Sequence, residues 1–324
     1  MSDLRILSTA PLRGEGLERL RALGEVVVDP WIDHSPLRLY NSEQLAERVR
    51  AEGADVVICE ADSCKGPLFE LPLVAIGSTR GDPTNVDLAG ATAAGIPVLR
   101  APGRNADAVA ELAVGLALAA SRRIVAADRD VRDGEVYRDG SIPYQRFRGW
   151  QLAGRTAGVV GLGAVGRAAA WRLEGLGMRV ISADPFAPDA THDLDDLLAE
   201  SDLVTMHAAV TPDTVGLISA ERVARMRPGA VYVNTARAAL HDLDALTDAV
   251  TSGRLGALGL DHFEGENLSK DHPLTGLPNV VLTPHIGGAT YDTEANHTAL
   301  MADGLEALLQ GGTPSNLANP EVRK

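Results

Sequence analysis

Three apolar runs in the second half of the chain end in side chains that could do chemistry. Ala230–Asn234 is followed by Thr235-Ala236-Arg237, Gly256–Leu260 by Asp261-His262-Phe263-Glu264-Gly265-Glu266, and Val280–Thr283 by Pro284-His285-Ile286-Gly287-Gly288. A guanidinium binds a carboxylate through two parallel hydrogen bonds. An imidazole gives and takes a proton near neutral pH. A carboxylate behind that imidazole fixes its tautomer and stabilises its charged form. Hydride transfer at C2 of a 2-oxo acid needs these groups. Parallel strands gather ligands at their carboxyl ends, so Arg237, Asp261, Glu266 and His285 are expected to emerge on one edge.

A second constellation points to a ligand class. Val159-Val160 runs into Gly161-Leu162-Gly163-Ala164-Val165-Gly166, a helix is expected to follow, and Asp184 closes the next apolar run. Gly161 allows a tight turn, Gly163 lets backbone approach a pyrophosphate, and Gly166 lets helix and strand pack closely. The pyrophosphate is expected on the helix N-terminus around Ala164, Val165 and Gly166, where free N–H groups and the dipole favour anions. Asp184 suits both ribose hydroxyls and repels a 2′-phosphate, which favours NAD over NADP. No Arg or Lys follows it through Pro188 to clamp such a phosphate, and Arg179 is the nearby cation.

These residues need a frame. Short apolar runs at Leu4–Thr9, Val26–Asp29, Val56–Glu60, Val74–Ser78 and Pro97–Leu99 alternate with helical patterns at Gly16–Leu23 and Leu45–Ala51, with Ser42 as N-cap of the latter. Such alternation indicates a parallel sheet. Ala106–Ser121 reads as a largely buried helix, and Asp128–Trp150 as a surface excursion. A second series has strands at Gly158–Gly161, Arg179–Ala183, Leu203–Met206, Ala230–Asn234, Gly256–Asp261 and Val280–Thr283. Helices are expected near Asp193–Glu200, Ala220–Met226 and Leu243–Ser252. The chain then returns to a helix at Asp292–Leu309. The fold class is therefore α/β, with two doubly wound parallel-sheet domains.

The chain has 324 residues and a net charge of 30 − 44 = −14. That balance argues against nucleic acid or an anionic membrane as partner. No run of 18 apolar residues suggests a membrane span, and the N-terminus is too polar for a signal peptide. Cys59 and Cys64 read as reduced thiols of a cytoplasmic protein. No His/Cys/carboxylate set shows metal-ligand spacing, so no metal is expected. His241, His262, His272 and His297 read as surface or loop residues.

Taken together, Gly158–Arg167, Val231–Arg237, Asp261–Glu266 and Leu282–Gly288, with Asn85–Asp87, Ala93–Pro97 and Asn105–Glu111, resemble the NAD-dependent D-isomer-specific 2-hydroxyacid dehydrogenases. The resemblance implies a flavodoxin-like substrate domain over 1–103 and 287–324, a Rossmann NAD domain over 104–286, an active site in the cleft between them, and a homodimer. It assigns Arg237 to the substrate carboxylate, His285 to acid–base catalysis, Glu266 to pairing with His285, and Asp261 to the nicotinamide carboxamide. His207, Thr214, Thr235, Ala236 and Gly287 join the cofactor contacts, with a structural role for His207 equally open. The pattern Asp-Val-Phe-x-x-Glu-Pro is broken here by His262 and Asn267. The loop Thr79-Arg80-Gly81-Asp82 carries Arg80 where glycine is common. Arg80 and Gly81 are expected to touch a small, polar substrate; the alternative is that Arg80 turns away and pairs with Asp82. A formate dehydrogenase is disfavoured, because that family has Gln where this chain has Glu266. A phosphite-type NAD oxidoreductase and a non-catalytic NAD-sensing protein stay open.

Overall fold

The computed structural model describes residues 4–323. The chain forms two units. One runs to Arg104 and resumes at Thr290; the other is Asn105–Ala289.

The first unit holds β1 (Leu4–Ser8), β2 (Gly24–Val28), β3 (Val56–Cys59), β4 (Ala75–Ser78) and β5 (Val98–Leu99), all parallel in the order β2-β1-β3-β4-β5. Alternation places Val56 and Ile58 in one core and Val57 and Cys59 in the other, so both sheet faces are covered. Helix Tyr291–Leu309 closes one face through Met301, Ala302 and Leu305. It lies against helix Glu15–Leu23, where a Cβ on Gly16 would come within 2.6 Å of Ala299 N.

The second unit holds β6 (Thr156–Val160), β7 (Arg179–Ala183), β8 (Leu203–Met206), β9 (Val231–Asn234), β10 (Ala257–Leu260) and β11 (Val280–Leu282). The parallel order is β11-β10-β9-β8-β6-β7. The direction of winding reverses between β6 and β8, and such a switch point opens a crevice at the carboxyl ends of the strands. Register makes that edge a row. Val160 is opposite Met206, Met206 opposite Asn234, Asn234 opposite Leu260, and Leu260 opposite Leu282. The next residues, Gly161, His207, Thr235, Asp261 and Thr283, therefore follow the strand ends side by side. Helix Ala106–Ser121, rich in Ala and Leu, buries Ala113, Leu116, Ala117 and Ala120 beneath this sheet.

Several local expectations change. Asn41, not Ser42, caps helix Ser42–Glu52: its Oδ1 accepts from Gln44 N at 2.9 Å, and Gln44 Oε1 accepts from Asn41 N at 3.1 Å. That reciprocal box satisfies two amides, which Ser42 inside the helix would not do. The excursion, expected over 128–150, starts earlier: residues 124–150 contain helices Ile124–Arg132 and Pro143–Arg146, organised around buried Asp130, which pairs with Arg138 at 3.1 Å and Arg146 at 2.9 Å. Its apolar side chains stay outside: Val131, Tyr137, Tyr144 and Trp150 are each more than 60 % exposed. His297 is buried rather than superficial. It lies 2.6 Å from Pro11 O through Nε2 and 2.8 Å from Arg104 through Nδ1. Cys59 and Cys64 are free and buried, with sulfurs 3.2 Å apart. No helix of the described residues is long and apolar enough to cross a membrane.

Candidate active site

The turn after β6 is built for close backbone approach. Gly161 has φ +89°, and a Cβ on it would lie 2.5 Å from Ala208 N. A Cβ on Gly166 would lie 1.9 Å from Gly161 O, so neither position accepts a side chain. Gly163 starts helix Ala164–Gly175 with open space around it and no side-chain cap. An uncapped N-terminus of a helix this long offers amides and a positive dipole end to an anion.

Asp184 directly follows β7, with Oδ2 accepting from Leu162 N at 2.7 Å and Oδ1 from Phe186 N at 2.8 Å. A carboxylate offers about four acceptor sites, so each oxygen keeps capacity for a ribose hydroxyl. Arg179 is turned to Glu200 at 3.1 Å. A cation that sequence spacing did not reveal, Arg167, lies within electrostatic reach of Asp184 but is held by both oxygens of Asp189.

Two orphaned polar atoms lie along the row of strand ends. His207 Nδ1 and Thr235 Oγ1 are buried without a hydrogen-bond partner, an arrangement that normally signals a missing ligand or water. Part of the His207 side chain is exposed, yet desolvation of its ring holds the imidazole at about 4, neutral at physiological pH; its Nε2 lies 2.9 Å from Thr205 Oγ1. The glycine cradle, the open carboxylate and the two orphans fit a dinucleotide such as NAD. Thr214 closes its own loop, bonding Ala209 O and Thr211 N at 2.7 Å each.

Asn234, the last residue of β9, shapes the turn that presents Arg237. Its Oδ1 accepts from Ala236 N at 2.8 Å, and its Nδ2 donates to Arg237 O at 2.9 Å. The Arg237 guanidinium is exposed, bonds Ala236 O at 2.7 Å, and makes no ion pair among the described residues.

Asp261 is buried, and its oxygens suspend the segment that carries His285. Oδ1 accepts from Thr283 Oγ1 at 2.6 Å and Ile286 N at 2.9 Å; Oδ2 accepts from Gly287 N at 2.8 Å. One Oδ2 lone pair is left for a further donor, while the Gly287 amide is engaged. His285 Nδ1 lies 2.8 Å from Glu266 Oε1. Glu264 makes no such bond. Both partners adopt left-handed backbone, Glu266 at φ +57° and His285 at φ +56°, which non-glycine residues adopt in a few per cent of cases. Glu266 is held below the usual carboxylate range. Desolvation, the largest single influence, acts upward, and the bond to His285 together with the charges of His285, His262 and Arg237 outweighs it. The imidazole is thus tethered at Nδ1, with Nε2 left for a substrate oxygen.

His262 belongs to this cluster, which spacing alone did not indicate. Its Nε2 is 3.3 Å from Glu266 Oε1, and its ring centre is 4.6 Å from that of His285. His262, Glu266 and His285 together form a set compact enough for a metal ion, with ligand atoms within 4.8 Å of one another. The set is split between loops 19 residues apart, so no local spacing displays it.

His241 is buried behind Asn234, its Nδ1 accepting from Asn234 Nδ2 at 2.9 Å. Desolvation holds it at about 4. The unfolded ring titrates near 6.5, so the unfolded chain binds the extra proton between these values. Stability from the neutral ring is full above pH ~6.5 and is lost as pH falls toward 4, by about 3 kcal/mol. We expect urea midpoints to decline over that window, and His241→Gln, which cannot charge, to flatten the decline.

In the first unit, the loop after β4 places Arg80 half-buried, donating to Thr84 Oγ1 at 2.9 Å. Among the described residues it forms no ion pair with Asp82. Gly81 follows it, and Thr79 Oγ1 is buried without a partner.

Comparison with known proteins places these features in a family. Residues 114–287 match the model of the D-isomer specific 2-hydroxyacid dehydrogenase NAD binding domain. The chain is 36 % identical to a glyoxylate reductase of Thermofilum pendens, covering 100 % of this chain and 97 % of that one. It is 34 % identical to a D-3-phosphoglycerate dehydrogenase of Archaeoglobus fulgidus over 98 % of its length, which spans 59 % of that longer protein. Among solved structures, D-lactate dehydrogenase of Escherichia coli superposes with a TM-score of 0.77 at 26 % identity, covering 97 % of this chain and 99 % of that one.

Proposed function

The chain belongs to the D-isomer specific 2-hydroxyacid dehydrogenases, NAD-dependent oxidoreductases, and from that premise we propose that it interconverts a small, polar 2-oxo acid and its D-2-hydroxy acid. The observation that carries the reading is the tethered His285–Glu266 pair, 2.8 Å apart, on a segment fixed by buried Asp261.

NAD(H), held by the residues named below, would supply hydride chemistry at C2 of the 2-oxo acid. Arg237 holds the carboxylate through its two outer N–H groups. His285 Nε2 gives its proton to the carbonyl oxygen as that oxygen gains charge. Glu266 stabilises the imidazolium through its bond to Nδ1 and fixes which nitrogen faces the substrate. In the oxidative direction neutral His285 takes the hydroxyl proton, so that direction gains as pH rises. The turn 161–166 would hold the pyrophosphate, Asp184 the adenosine ribose, and Asp261 the carboxamide through its remaining lone pair. Ala164 and Val165 open the helix under the pyrophosphate. His207, Thr214, Thr235, Ala236 and Gly287 line the rest of the cofactor's course.

Arg80 and Gly81 are assigned to substrate recognition. An extra cation and nearby amides favour a hydroxylated or doubly anionic acid. The substrate domain is the unit that contains them, and the NAD domain is the other. Exposed Val131, Tyr137, Tyr144 and Trp150 support a homodimer paired through the excursion 124–150. The free cysteines fit a cytoplasmic location.

A panel of glyoxylate, hydroxypyruvate, phosphohydroxypyruvate and longer 2-oxo acids tests the reading by NADH consumption. Turnover concentrated on the small polar members is expected. NADH binding with no turnover of any member would reject an enzyme in favour of a sensor, and oxidation of phosphite with NAD+, followed as NADH formation in a separate assay, would redirect the assignment.

A further inference from the structure

His262 stands where the family pattern has valine, and its ring touches the acid–base pair. Its Nδ1 accepts from Ala238 N at 3.2 Å. A neutral imidazole that accepts at Nδ1 carries its proton on Nε2. That Nε2 faces Glu266 Oε1 at 3.3 Å, the same oxygen that is 2.8 Å from His285 Nδ1. The rings lie 4.6 Å apart and are tilted by 60°. One carboxylate oxygen thus lies against both rings, hydrogen-bonded to His285 and in polar contact with His262.

We propose that His262 is a positioning residue that holds Glu266 Oε1 jointly with His285 and so divides the carboxylate's pull between two rings. This rests on the assignment of Glu266 and His285 as the acid–base pair. The remaining charged groups around His262 come from neighbouring turns. Burial acts first, lowering His262 below its ordinary value; Glu266 and Asp261 oppose this, while His285 and Arg237 reinforce it. His241 also lies within electrostatic reach. The Ala238 amide, donating to Nδ1, sets the neutral ring in the tautomer that carries its proton on Nε2, beside Glu266. Through this contact the His262 ring stabilises the Glu266 carboxylate electrostatically, leaving less of its pull to retain the proton on His285.

The same three side chains are close enough for a metal ion, but the backbone argues against one. A metal-bound imidazole carries a proton on its other nitrogen. At His262 that nitrogen faces the Ala238 N–H, which already donates to it.

The test is the pH profile of kcat/KM for NADH-dependent reduction of the preferred 2-oxo acid. Wild-type turnover establishes the acid–base reading independently of any variant. In His262→Val, Glu266 acts on His285 alone, and the alkaline limb is expected to move up by about half to one pH unit. His262→Met repeats the measurement with a larger apolar side chain, should valine leave a damaging cavity. His262→Gln keeps a donor toward Glu266 and an acceptor toward Ala238 without a titrating ring, and its limb is expected to stay with wild type. An unmoved limb in both apolar variants overturns the proposal, even if kcat falls. So does a glutamine limb displaced as far as that of valine.

Discussion

His285→Ala is expected to slow reduction of the 2-oxo acid by about 10²–10⁴ in kcat, the span of a lost general acid. The imidazole is the group of this site that can deliver a proton in the neutral range, and its Nδ1 is already committed to Glu266. Water can replace the proton but not its placement. The hydride step would then build charge on an oxygen with no nearby acid. NADH binding, followed by quenching of tryptophan fluorescence, is the control that the cofactor site survives. Turnover near wild type in an NADH-competent variant would remove His285 from the mechanism. The pH profile adds a second reading: the alkaline fall in reductive kcat/KM should disappear with the side chain.

Arg237→Ala should lower kcat/KM by a comparable factor through a different step. Hydrogen bonds to a charged partner contribute about 1.5–3 kcal/mol each, so losing a bidentate pair costs about 10²–10⁴. Most of the loss should appear in KM. The guanidinium is exposed and its recorded contact is the carbonyl of its own neighbour, Ala236, so its removal breaks little of the fold. Arg237→Lys should recover only part, because an ammonium cannot present two parallel donors. The clean measurement compares a 2-oxo acid with its methyl ester. If both substrates lose equally, the arginine is not reading the carboxylate.

Much of this site could be read before any coordinates, because strands and their ends announce themselves. Arg179–Ala183 and Leu203–Met206 are short apolar stretches bounded by polar or turn residues, and both form as read. Helix Ala106–Ser121 was legible to the residue, since Asn105 and Arg122 bracket an Ala/Leu/Val-rich stretch interrupted only by Asp107, Glu111 and Gly115 before its final Ser121. What escaped was set by tertiary contact. His241 and His297 look like any loop or helix histidine, and only packing around Asn234 and Pro11 buries them. His262 meets Glu266 because a turn at Gly265, φ +62°, folds the acid back toward it. Arg167 approaches Asp184 across the β6–β7 crossover, which no local spacing encodes. Asp261 is visible as a strand-end acid, but its three bonds to residues 283–287 become apparent only when β10 and β11 lie side by side.

The backbone at positions 266 and 285 filters what chemistry this scaffold can acquire. Both lie at φ near +57°, where glycine, asparagine and aspartate are comfortable and branched side chains are not. A randomised library at either position would be thinned by folding before any selection for rate. New catalytic groups are more readily installed at 237 and 262, whose φ values lack that restriction, so the route by which such an enzyme diversifies runs through the neighbours of its proton donor.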